Sequence, residues 1–225
     1  MLRGAQDQAS LPQGGWAVAD RSSDLIGRTR GCPVTSSLER LGAALDEFSR
    51  LVAGVAEDQW TLATPCPGWD VSRLVAHVID GNLRFVARFR GDDPAPETDL
   101  PAGLPIADFA PSAQALLAAL RAPGALERTV ALPIGLLPGA VAVDLRLTET
   151  LVHGWDLARA TGQTPRFTSE ACASALEFSK ANLGRASTRP SAPFAPPLPA
   201  PDGAPPLDRL AAQLGRDVGG GTGSG

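Results

Sequence analysis

Six apolar residues spaced alternately three and four apart, Leu38, Leu41, Leu45, Phe48, Val52 and Val55, constrain this chain more than any other feature. On a 3.6-residue period they share one face, which predicts an amphipathic helix of roughly five turns whose seam needs partners. Ser36 and Glu39 form a capping-box signature at its start. The turn Thr64-Pro65-Cys66-Pro67-Gly68-Trp69 precedes a second helix, with Asp70 as its N-cap. Val71, Leu74, Val75, Val78, Phe85 and Phe89 form the buried face of that helix, which should end near Gly91. An acidic, Pro-rich linker (92–105) leads to a third helix around Ala113 to Arg121. Residues 129–143 read as a short extended or hairpin-like excursion. A long helix follows, from Gly139 or Ala140 to Ala160, and another from Ser169 to Leu183, stopped by Gly184. Four or five helices with little strand predict an all-α fold, an up-and-down bundle with the extended excursion before its long helix.

Three regions are expected along the chain. Residues 1–34, rich in Gly, Gln, Ser and Arg without periodicity, read as a disordered arm. Residues 35–187 form the bundle. Residues 188–225 are a Pro- and Gly-rich tail with a short amphipathic helix near 206–215, carrying Leu207, Leu210 and Leu214.

Charge narrows the function classes. The 225 residues carry a formal charge of −4 with no basic block, which argues against nucleic acid and anionic membrane as partners. The longest uncharged stretch, 129–143, contains Pro133 and Pro138 and is shorter than the about 20 apolar residues a bilayer span requires. The first residues hold no apolar core of a secretory signal. Cys32, Cys66 and Cys172 are widely separated and form no CxxC, which argues against a disulfide framework and a thiolate zinc finger. A cytoplasmic protein is expected.

The chain has only two histidines, His77 and His153, each mid-helix. Glu149 precedes His153 by four residues and Asp156 follows it by three, so the three share a helix face bordered by Leu145, Val152 and Leu157. A carboxylate and an imidazole on an apolar face need compensation, which a divalent cation would supply. His77 is the only histidine left to complete such a site from another helix. Gly81, one turn after it, would leave space above the ion. Two histidines and a Glu leave one position open, the catalytic pattern of zinc ligation. Arg84 and Arg88 lie on the same side of the second helix and could face an anionic cofactor or substrate. A plainer reading stays open: the Glu149–His153 pair can be a helix-stabilising contact or a buried hydrogen bond, and the two arginines a solvated edge. Trp69 and Trp155 read as packing anchors and Cys66 as a turn residue.

The Thr64-Pro65-Cys66-Pro67-Gly68-Trp69-Asp70-Val71 segment followed by His77, and Leu147-Thr148-Glu149 leading to His153-Gly154-Trp155-Asp156-Leu157-Ala158, resemble the DinB-like superfamily. The nearest branch is the actinobacterial group related to the metal-binding domain of mycothiol-dependent maleylpyruvate isomerase. The tail through Pro205-Pro206-Leu207-Asp208-Arg209-Leu210 and Leu214-Gly215-Arg216 is similar to small single-domain members of that group. The resemblance covers residues 36–216. It implies a DinB-like four-helix bundle in which His77, Glu149 and His153 hold a divalent metal, zinc or nickel, with Asp156 supporting them from behind. It also implies a low-molecular-weight thiol such as mycothiol and a small electrophilic substrate as partners, hence a thiol transferase or isomerase-like enzyme. A non-catalytic metal-binding or stress-related protein of the same fold is the alternative, and a homodimer is left open. The full isomerase has a second C-terminal domain, whereas about 40 Pro- and Gly-rich residues follow the last bundle helix here, so thiol transfer is a better expectation than maleylpyruvate isomerisation.

Overall fold

The apolar seam of the first helix is buried as its spacing requires: Leu41, Leu45, Phe48 and Val52 are all within 3% of full burial. The computed structural model describes residues 34–92, 106–132, 135–183 and 194–219. Helix α1 spans Val34–Ala53. It starts earlier than the Ser36–Glu39 signature suggested, so Ser36 sits inside its first turn and Glu39 beyond it. Helix α2 spans Val71–Arg90 and α3 Phe109–Leu120. Strands β1 (Thr129–Leu132) and β2 (Gly135–Pro138) pair antiparallel as the expected excursion. Helix α4 spans Gly139–Thr161, α5 Ser169–Asn182 and α6 Pro206–Gln213. The expectation of a disordered arm falls, apart from Val34, outside the described residues, as does most of the 92–105 linker.

The ends follow local chemistry. Asp70 caps α2 by accepting the Arg73 amide at 2.8 Å, and Gly91, at φ 88°, ends that helix in the left-handed conformation that glycine adopts without strain. Thr168 caps α5 in the same way, accepting from the Ala171 amide. Gly139 opens α4 where the chain passes tightly against its own backbone: a Cβ there would lie 2.5 Å from the Ala125 carbonyl oxygen.

Helices α1, α2, α3 and α4 make the four-helix bundle. Helix α1 packs on α4 and α3, and α2 packs on α3 and α4. Helices α5 and α6 pack against each other and cover the remaining side of α4. This explains why α4 is buried almost throughout, from Gly139 to Thr161, and why its sequence lacks a polar face. Phe48 of α1 and Phe109 of α3 stack at 4.8 Å in the core. The central helix therefore holds Glu149, His153 and Asp156 in an interior position, with α2 presenting His77 beside it. Among the described residues no helix is long and apolar enough to cross a membrane.

Candidate functional site

The Thr64–Asp70 turn builds one wall of the site. Thr64 Oγ1 donates to the Trp69 carbonyl at 3.0 Å and accepts from the Cys66 amide, while the Thr64 amide donates to the Trp69 carbonyl at 3.0 Å. Gly68, at φ 78°, reverses the chain. This tied turn sets the Trp69 indole over two imidazoles. Its ring centroid is 4.5 Å from His77 and 5.9 Å from His153. The two histidine rings stand edge to face with centroids 5.1 Å apart. Helices α2 and α4 thus bring the chain's two histidines together, beneath a tryptophan that sequence reasoning had read only as packing.

Their electrostatic surroundings differ. Burial, then the charges of His153, Arg146, Arg84 and Arg73, push the His77 imidazole down to about 2. It is therefore neutral at physiological pH, with a lone pair available. His153 is 4% exposed, and its Nδ1 lies 3.2 Å from Asp156 Oδ2. Burial would raise the fully enclosed Asp156 carboxyl, but hydrogen bonds from His153 and Arg216, with their charges, hold it below the usual value. An ionised carboxylate can only accept, so Nδ1 carries the proton. In the neutral ring this leaves the lone pair on Nε2.

Compensation for Glu149 and Asp156 comes from arginines. Arg146, 1% exposed, donates through Nη1 to Glu149 at 2.8 Å, through Nε and Nη2 to Asn82 Oδ1 at 3.0 and 2.7 Å, and through Nη2 to the Val78 carbonyl at 2.7 Å. Asn82 in turn donates to Ser112 of α3. Arg216 forks onto Asp156, with Nε 3.2 Å from Oδ1 and Nη2 2.8 Å from Oδ2. The space expected above an ion at Gly81 is filled by the Arg146 guanidinium: a Cβ on Gly81 would meet Nη1 at 2.6 Å. Arg84 is bonded to Asp80 one turn before it on α2, while its charge still acts on His77; Arg88 lies a further turn along, half-buried.

Glu149, His153 and Asp156 lie along one strip of α4 as the spacing required, and His77 meets His153. Glu149 points its carboxylate to Arg146, and among the described residues no three of His, Cys, Asp and Glu stand close enough together to hold a metal ion. The donors themselves, two imidazoles and a carboxylate, have the chemistry that zinc or nickel accepts. A cavity of about 380 Å³ lies elsewhere, lined by Trp155, Arg159, Phe167, Cys172 and Asp208 among others, and neither histidine lines it.

Sequence reasoning missed Arg146 and Arg216. Arg146 had a legible signal, since it precedes Glu149 by three residues on the same helix face. Arg216 had none, because its partner lies 60 residues away.

A family model described as the mycothiol maleylpyruvate isomerase N-terminal domain matches residues 41–158, more than half of the chain. The chain belongs to this family. Two uncharacterized proteins of Mycobacterium tuberculosis, Rv0738 (strain ATCC 25618 / H37Rv) and MT0763 (strain CDC 1551 / Oshkosh), are each 40% identical over 175 residues, which is 78% of this chain and 94% of theirs. Among solved structures, the mycothiol-dependent maleylpyruvate isomerase matches with a TM-score of 0.51 and its histidine-to-alanine mutant with 0.54. Each is 17% identical and covers 73% of this chain and 81% of its own. At that identity the likeness speaks for the fold alone, a helical bundle. The stretch that the family model matches includes Trp69, His77, Arg146, Glu149, His153 and Asp156 and stops before Arg216.

Proposed function

We propose that this chain is a divalent-metal-binding bundle that works on a low-molecular-weight thiol of the mycothiol type, as an S-transferase or isomerase-like enzyme. The observation that carries the reading is the meeting of the two histidine rings, 5.1 Å apart and covered by Trp69, in a family named for a mycothiol enzyme. His77, His153 through Nε2, and Glu149 would hold the ion. A bound cation would lower the pKa of a cofactor thiol, supplying a nucleophile at neutral pH.

The chain's own residues have separate tasks around that centre. His77 offers an uncharged nitrogen because burial and neighbouring cations suppress its protonation. Asp156 holds the proton of His153 on Nδ1 and leaves Nε2 for the ion. Trp69 covers both rings and restricts water. Glu149 is neutralised by Arg146 without a cation, so ion binding requires Glu149 to exchange that partner. Arg146, Arg84 and Arg73 make the surroundings electropositive, as an anionic thiol or electrophile would need.

The Arg146–Glu149 and Arg216–Asp156 pairs favour a second reading: a metal-free bundle whose carboxylates are satisfied by arginine. Metal analysis of protein purified without a histidine tag, followed by zinc and nickel titration, separates the two. We expect one ion per chain and loss of that ion in His77→Ala. Stoichiometric binding that survives His77→Ala would overturn the ligand set, and no binding at all would leave the arginine-satisfied bundle. Incubating the loaded protein with mycothiol and a panel of electrophiles, read by mass spectrometry, tests catalysis. A conjugate is expected, and none across a broad panel would reduce the function to metal binding.

A further inference from the structure

The C-terminal segment is built to place one side chain. Pro206 occupies the first turn of α6, where its fixed φ and missing N–H are tolerated. Leu210, Ala211 and Ala212 are buried beneath it. The Trp155 indole of α4 donates to Asp208 at 2.7 Å, tying the helix to the bundle. At the other end the chain closes in a Schellman arrangement, with the Gly215 amide donating to the Ala212 carbonyl at 3.0 Å and the Arg216 amide to the Ala211 carbonyl at 2.9 Å. Gly215 is required twice over: its φ is 82°, and a Cβ would lie 2.5 Å from the Ala195 Cβ.

That closure aims Arg216 inward rather than into solvent. Its side chain is 6% exposed, its Nη1 donates to the Leu214 carbonyl at 2.9 Å, and its remaining fork grips both oxygens of Asp156. A bidentate guanidinium fixes the plane of a carboxylate as well as its charge, which a single ammonium does not. The fixed carboxylate meets His153 Nδ1, so the line Arg216, Asp156, His153 runs from the C-terminal segment to the histidine pair.

We propose that Arg216 is a positioning residue for His153: by locking the Asp156 carboxylate it sets which ring nitrogen carries the proton and which faces the candidate site. The C-terminal segment is then a working part of the site, although it lies outside the stretch that the family model matches. The metal-facing half of this inference rests on the reading above, whereas the tautomer half does not.

The test uses full-length Arg216→Lys and Arg216→Met, with Arg209→Met as the control, an exposed arginine on the same segment. Nitrogen-15 NMR of the metal-free proteins reads the His153 tautomer. Wild type and Arg209→Met should show a single form protonated on Nδ1, and both Arg216 variants a mixture. Zinc affinity, measured by competition with a chromophoric chelator, should fall about 10- to 100-fold in the Arg216 variants, the usual effect of removing a group that orients a ligand. Should Arg216→Met fail to fold, Arg216→Lys keeps a cation opposite Asp156 and carries the test. An unchanged tautomer and unchanged zinc affinity in Arg216→Lys would overturn the proposal, leaving Arg216 a charge partner only. A wild type that binds no zinc would remove the metal reading, while the tautomer result still decides the role of Arg216.

Discussion

At Gly81 one absent methyl group admits a buried guanidinium. Alanine there would gain about 1 kcal/mol of helix propensity. It would also force the Arg146 fork away from Asn82, Val78 and Glu149, partners that hold it from three sides. The second effect is larger, because displacing a charged group from a buried network leaves its acceptors unpaired. We therefore expect Gly81→Ala to destabilise by about 1–3 kcal/mol in urea denaturation, contrary to the propensity scale. Cys172 gives a chemical prediction at the same scale. It lines the 380 Å³ cavity yet is 1% exposed, and burial pushes its thiol up to about 11. The thiolate is the reactive form, so native protein at pH 8 should resist iodoacetamide at Cys172 and take the label there only in denaturant, as peptide mapping would show.

Each element ends where local chemistry tells it to, and those ends set the site. Asp70 both caps α2 and closes the turn that carries Trp69, through its bridge to Ala63. Asp70→Ala should cost about 1 kcal/mol of stability in urea unfolding. It should also loosen Trp69 over the histidines, visible as a change in tryptophan fluorescence under native conditions. Helix α4 shows the limit of reading elements from pattern. Its length and stop at Gly162 are written locally, but its lack of a polar face makes sense only once α5 and α6 are seen covering it. Gly154 has the same character, since a Cβ there would strike the Phe167 ring from the loop before α5.

Across the whole molecule, Glu47 joins α1 to the chain entering α5. It accepts from Arg50 Nε at 2.9 Å and Nη2 at 2.6 Å, and from the Arg166 amide at 2.6 Å. The Arg50 hydrogen bond, opposed by burial and aided by the Arg166 amide, holds its carboxyl below the usual 4.5. A folded-state pKa below the unfolded one gives stability that is complete above pH 4.5 and lost as pH falls through the depressed value. Wild type should therefore lose more stability between pH 7 and pH 3 than Glu47→Gln does, measured as the shift in urea midpoint. Equal losses would remove Glu47 from the acid response. The Arg40–Glu170 bridge between α1 and α5 should matter less, because Glu170 is exposed and solvent screens its end of the pair.

The sequence alone determined the helices, their order, the hairpin before α4, and the strip of Glu149, His153 and Asp156 on one face. These follow from the 3.6-residue period and from caps and breakers, which act over a few residues. Scarcity also singled out His77 as the partner of His153, and the two rings do meet. Only the tertiary structure decided what answers Asp156. Spacing demanded a compensating charge without specifying its kind; Arg146 stood three residues before Glu149 on the same helix, but Arg216 came by packing from the far end of the chain. That second choice is invisible locally, because a guanidinium can reach several ångströms from wherever the fold places its backbone.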